Sequence, residues 1–390
     1  MVTPVRERSY LFSRTEYEER VFRAQTALCD AGLDGAVCVA PETLFYLGGY
    51  EGYTFWTDQA LVLSAGGGDP ILILRDTDLP LAAETSVIRD VRTYRFGRDD
   101  PADLVRDALA DVGLAGGALG AEKQSYALPA AYAERLVARL GDSFALTDCS
   151  RLLSRLRVHK SAAELACVRA AATCARAGRM AAMGAIRAGV SEIEVAAAIE
   201  RGLRDAGSDY SAMPTMVASG PRTAAVHSTP TARVVTRGDR VVVWFAGVAR
   251  RYHVTAYRTV QVGDPSKRFR EMYQAAERSL EVLIENVGVG QPVARAARAA
   301  SAELRGTGYD EYQIARWGYG VGIAFPPVWL EAFDVLEESE DVFEAGTLMC
   351  LHVCFSDPAE GVGLYVGGDY LLTEGGLEAL DELGTGLAVI

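Results

Sequence analysis

Lysine is almost absent from this chain of 390 residues: only Lys123, Lys160 and Lys267 carry an ammonium, and nearly all other positive charge is arginine. With a net charge of −13, the chain lacks the clustered basic surface that counterion release from nucleic acid requires. Long apolar runs are missing too. No segment approaches the roughly 20 apolar residues of a membrane span, and the opening MVTPVRERSYLFSRTEYEERV has no apolar signal-like stretch. Neither a membrane nor a nucleic-acid partner is expected, and a cytoplasmic location is. The 7 cysteines are odd in number and without paired spacing, which excludes a disulfide framework and leaves buried free thiols. Carboxylates are missing from one notable place. The stretch VVVWFAGVARRYHVTAYRTVQVG, residues 241–263, reads as two strands and a short turn, and it holds no Asp or Glu.

What is present is ample apolar material. Hydrophobic residues make up 49% of the chain and charged residues 23%, enough for the cores of two ordinary domains. Residues 15–32 have the period of an amphipathic helix with a glycine stop. LDGAVCVA reads as a buried strand, TLFYLGGY as a strand entering a glycine turn, and ALVLSAGGGDPILIL as a hairpin. PADLVRDALADVG and PAAYAERLVARLG continue as helices around the strand GALGAE, so residues 1–157 read as an α/β domain with a mixed sheet.

Residues 158–390 have a different character. A long Ala-rich helix opens with a capping box, Ser161 to Glu164, and a second helix repeats the device with Ser191 and Glu194. Strands follow, then helices at about 266–286 and over PVARAARAASAELRGTG, then the β-rich GTLMCLHVCFSD and GGDYLLTEGG. Two helices and a hairpin, twice over, imply similar halves around a cleft. The fold class is α/β (α+β).

Several strings in this order resemble one family. HKSAAELACVRAA is similar to the Lys-Ser-x-x-Glu helix of the creatinase/prolidase/methionine-aminopeptidase family. VASGPRTAAVHSTPTARVVTRGD is similar to its His-containing strand pair, RYHVTAYRTVQVG to its metal-binding hairpin, and GYGVGIAFPP and GTLMCLHV to its later motifs. The resemblance spans the chain and implies a creatinase-like N-terminal domain, 1–157, followed by a "pita-bread" catalytic domain, 158–390, with pseudo-twofold halves.

Metal-dependent members of that family hold two divalent ions with two Asp, one His and two Glu, hard ligation suited to such ions. In register, this chain has Trp244 and Thr255 at the Asp positions, Tyr319 at the His, and His352 and Gly367 at the Glu positions. The resemblance therefore implies no metal and no other cofactor, and it places the chain beside creatinase and ectoine hydrolase. In creatinase the residue matching His227 transfers protons during C–N hydrolysis, a task imidazole suits because it titrates near pH 6.5. Creatine itself is excluded, because Tyr257 and Gly367 replace the two Glu that hold its guanidinium, and Trp56 falls near the Arg that holds its carboxylate.

Side chains alternate along a strand, so His253, Thr255 and Tyr257 share a face. With Trp244, Tyr319, His352, Tyr365 and Trp56 they are expected to line an aromatic, weakly polar cavity for a small, flat, uncharged molecule. His227, Tyr319 and Tyr257 are the expected catalytic groups, the tyrosines as oxyanion donors. The expected function is metal-independent hydrolysis of an amide- or amidine-type C–N bond. Its alternatives are a lyase, cyclase or isomerase in a specialised biosynthetic pathway, and a non-catalytic binding protein. The resemblance also implies a homodimer in which residues 50–58, with Trp56, cap the partner's active site.

Overall fold

The computed structural model describes residues 10–314, 316–380 and 384–390. The chain divides into two compact units between Arg157 and Val158.

In the first unit, six strands form one mixed sheet: β1 (Gly35–Cys38), β2 (Ala60–Ser64), β3 (Ile71–Arg75), β4 (Asp90–Tyr94), β5 (Gly117–Ala121) and β6 (Phe144–Asp148), in the order β4-β3-β2-β1-β5-β6. The glycine-rich turn makes β2 and β3 an antiparallel hairpin, whereas β1–β5, β5–β6 and β3–β4 are parallel and need helical crossovers. The helices are α1 (Arg14–Asp30), α2 (Pro41–Gly48), α3 (Leu79–Thr85), α4 (Pro101–Asp111), α5 (Ala130–Leu140) and α6 (Ser150–Arg155). Ser13 caps α1 by accepting from the Glu16 N–H, and Asp100 caps α4 by accepting from the Ala102 N–H. TLFYLGGY is a helix, α2, and not the expected strand. Pro41 opens it, Gly49 at φ 72° closes it, and every residue from Thr43 to Gly48 is buried. A short run buried all round has no polar face, so its sequence carries no period to distinguish helix from strand.

The second unit starts with α7 (Ala162–Ala185) and α8 (Glu192–Asp205), and both capping boxes form. They precede a sheet of β7 (Met216–Ser219), β8 (Arg240–Ala249) and β9 (Tyr252–Gln261). Gly247 lets α7 lie directly on β8, since a Cβ there would meet Ala171 O at 2.4 Å. The two-residue turn between β8 and β9 sets Arg250 at φ 51° and Arg251 at φ 68°, the left-handed pair a tight hairpin demands. Neither is glycine. Arg251 is held there by its fully buried guanidinium, which lies over the Tyr210 ring at 3.9 Å and donates to the carbonyls of Tyr210 and Ala324.

Then α9 (Lys267–Glu285) and α10 (Val293–Arg305) pair and pack on a second sheet. Its strands are β10 (Gly318–Val321), β11 (Leu330–Val335), β12 (Leu348–Asp357), β13 (Val362–Thr373) and β14 (Gly376–Ala379), in the order β11-β10-β12-β13-β14. A short β15 (Ala388–Val389) joins the edge of the first sheet beside β9. The unit is thus two helix-pair-and-hairpin halves, and Trp244, Tyr257, Tyr319 and His352 all lie on the central strands of the two sheets.

Candidate active site

His227 lies in the segment between β7 and β8, and one carboxylate fixes that segment at both ends. Glu192, the first residue of α8, is fully buried. It accepts from the Ser219 N–H and Oγ, both at 2.8 Å, and from the Thr231 N–H and Oγ1 at 2.9 and 2.8 Å. The Arg222 guanidinium also pairs with it and donates on to Thr229 O at 2.9 Å. The exposed His227 ring stacks on Trp244, with centroids 5.5 Å apart and planes 30° from parallel.

Trp244 continues the stack inward. Tyr257, its partner in the β8–β9 register, lies 5.2 Å away on a nearly parallel plane. His352 stacks on Tyr257 at 5.8 Å and meets Tyr319 edge-on at 5.5 Å, while Trp329 meets Trp244 edge-on at 5.7 Å. The Tyr257 and Tyr319 hydroxyls are hydrogen-bonded to each other, and Tyr319 also accepts from Trp329 Nε1 at 3.1 Å. Burial pushes both phenols well above their usual range, so neither serves as a base.

Below the rings runs a polar row. Tyr319, Cys350 and Asp369 are successive neighbours across β10, β12 and β13. Asp369, almost wholly buried, accepts from the Thr255 backbone N–H and from Thr255 Oγ1. Burial raises the Cys350 thiol well above its usual range, and the Asp369 charge adds to this.

The expectations for individual residues divide accordingly. His227 and Trp244 come together, ring on ring. His253 does not line a pocket: its Nδ1 sits 2.9 Å from Arg251 O and its Nε2 3.0 Å from the Ala212 N–H. A carbonyl only accepts and an amide N–H only donates, so His253 is the neutral Nδ1–H tautomer with both nitrogens committed. Burial, with the nearby Arg251 charge, lowers it to about 3. Thr255 is likewise committed, to Asp369. His352 lies inside the ring cluster with Nδ1 3.2 Å from the Cys354 thiol, and burial lowers it to about 4. Tyr365 donates to Val226 O at 2.9 Å. Trp56, in the first unit, is 59% exposed and packs with Tyr53 and Phe55 at 4.9 and 5.9 Å.

The expected open aromatic cavity is closed, because the rings satisfy one another. Beside Trp244 lies a void of about 10 Å³, scarcely one water, edged by Thr223, Val226, Ser228 and Tyr365. The sequence reading overlooked Asp369 and Trp329. Strand alternation placed Asp369 on the face of Gly367, two residues earlier, so that signal existed. Trp329 reaches the cluster only through the tertiary fold.

Residues 166–374 match metallopeptidase family M24, and residues 20–159 match the creatinase/prolidase N-terminal domain. The chain belongs to family M24. It is 28% identical to the ectoine hydrolase of Halomonas elongata over 390 residues, 95% of this chain and 96% of the relative. To the probable dipeptidase PepE of Mycobacterium tuberculosis it is 30% identical over 315 residues, 80% of this chain and 81% of that one. The crystal structure of dipeptidase PepE from Mycobacterium ulcerans superposes with a TM-score of 0.83 at 28% identity, covering 97% of this chain and 99% of the other.

The donors of this M24 chain do not fit a pair of divalent ions. Trp244 offers no ligand, and Thr255 is spent on Asp369. Gly367 has no side chain, and a Cβ there would meet Leu351 O at 2.5 Å and His352 Cβ at 2.6 Å. Among the described residues no three His, Cys, Asp or Glu groups converge as a metal site. Nor is any described helix long and apolar enough to cross a membrane.

Proposed function

We propose that this chain is a metal-independent hydrolase that cleaves a C–N bond in a small, uncharged molecule. The observation that carries the reading is the exposed His227 imidazole stacked 5.5 Å over Trp244, which edges a small void whose lining holds no charged group. His227 takes a proton from water as its oxygen adds to the carbonyl carbon. The protonated imidazole then returns that proton to the leaving nitrogen. Such transfer is worth about 10²–10⁴ in rate. The names of two relatives, an ectoine hydrolase and a probable dipeptidase, support hydrolysis as the reaction class. The dimer belongs to the same proposal and is checked by sedimentation.

The test incubates the purified chain with a panel of neutral amides and lactams and follows the gain of one water by mass spectrometry. His227→Asn should abolish turnover of any compound the native chain converts. Retained turnover in that variant removes His227 from the chemistry. The closed packing of Trp244, Tyr257 and Tyr319 favours a second reading, a non-catalytic binding protein, and a native chain that converts nothing while binding a panel member would establish it.

A further inference from the structure

The Trp244 indole N–H is a buried donor with no hydrogen-bond partner among the described residues, in a side chain only 9% exposed. Such a group costs roughly 1–3 kcal/mol when left unmade, so its presence calls for an acceptor. The hydroxyl groups around it already have partners. Tyr257 and Tyr319 bond each other, Tyr365 donates to Val226 O, and Thr255 Oγ1 donates to Asp369. The other buried indoles have partners, Trp317 in Ser301 Oγ at 3.1 Å and Trp329 in Tyr319 Oη.

Trp244 also edges a small void, alongside Thr223, Val226, Ser228 and Tyr365. Three of those residues belong to the segment that carries His227, so the void and the exposed imidazole share that segment. We infer that Trp244 Nε1–H is the carbonyl-binding donor of this site, and that the site takes a neutral carboxamide whose oxygen accepts from it. A carboxylate is disfavoured, because no cation lines the void to offset its charge. The inference deepens the hydrolase reading and rests on it. It assigns the oxyanion-donor role to the unpartnered Trp244 indole N–H in place of the tyrosine hydroxyls, which meet each other.

The test observes the indole N–H resonances of ¹⁵N-tryptophan-labelled native protein, of which the chain's 4 tryptophans give four. Trp244→Phe removes the indole N–H while keeping an aromatic side chain, and so identifies its signal. If that variant fails to fold, Trp56→Phe, Trp317→Phe and Trp329→Phe assign the signal by elimination. The probes are benzamide, benzoate and benzene. A saturable downfield shift of the Trp244 signal with benzamide, absent with benzene and weaker with benzoate, is expected. An unmoved signal, or equal movement with benzene, overturns the assignment. Trp244→Phe should also lower kcat on a converted amide by about 10²-fold, the size of losing one oxyanion donor. The two readings fail separately. A shifted Trp244 signal with an active His227→Asn variant condemns only the base, and an unmoved signal with an inactive variant condemns only the donor.

Discussion

The Tyr257 hydroxyl on β9 is hydrogen-bonded to the Tyr319 hydroxyl on β10, joining the two sheets of the second unit at the centre of the ring cluster. The two partners are not equivalent. Tyr319 also accepts from Trp329 Nε1, so Tyr319→Phe leaves both the Tyr257 hydroxyl and the Trp329 N–H without their partner, whereas Tyr257→Phe leaves the Trp329 bond intact. We expect Tyr319→Phe to cost about 2–3 kcal/mol and Tyr257→Phe about 1 kcal/mol. Urea unfolding of both variants checks the order, and equal losses would show that the hydroxyl pair is not the dominant bond.

The buried histidines give stability a definite pH dependence. Burial lowers His352 to about 4 and His253 to about 3, each helped by a nearby arginine, against about 6.5 when unfolded. Below pH 6.5 the unfolded chain therefore binds protons that the folded chain refuses. The contribution is complete above that pH and is lost as pH falls, by about 1.4 kcal/mol per unit for each His. His352 stops contributing to the slope near pH 4 and His253 near pH 3. His352→Gln should flatten the fall in unfolding free energy between pH 7 and pH 5. An unchanged slope would mean that His352 is already charged in the folded protein.

Glu192 should behave as the anchor of the His227 segment. Glu192→Ala removes the acceptor of Ser219 and Thr231 and leaves Arg222 without its carboxylate. A loss of about 3 kcal/mol is expected, with Glu192→Gln milder because its carbonyl oxygen still accepts. Limited proteolysis should cut within 220–231 in the Ala variant before it cuts the native chain. Cleavage elsewhere first would assign Glu192 a purely global role.

Protein purified without chelators should contain well under one equivalent of manganese, iron, cobalt or zinc, and EDTA should leave its Tm unchanged. The reason lies in the donors: both His253 nitrogens are bonded to backbone groups, and Thr255 is bonded to Asp369. Stoichiometric metal by elemental analysis would require those bonds to break and would overturn the metal-independent reading.

Much of the fold was legible because local signals agreed with global packing. Both capping boxes, the tight turn after Ala249 and the glycine-rich hairpin between β2 and β3 are short-range devices, set by which backbone donors and φ angles neighbouring residues satisfy. The α2 segment was not legible, because burial on all sides erases the period that distinguishes helix from strand.

The site divides along the same line. By itself the sequence determined which residue types stand on the central strands: no carboxylate in 241–263, an aromatic at the paired positions Trp244 and Tyr257, and an imidazole at 227. Only the tertiary structure decided which polar groups were already spent. His253 is taken by Ala212, Thr255 by Asp369 and Tyr257 by Tyr319, with sequence separations of 41, 114 and 62 residues. Whether a donor remains free for a substrate depends on partners that distant, and strand alternation says which way a side chain points without saying what it meets there.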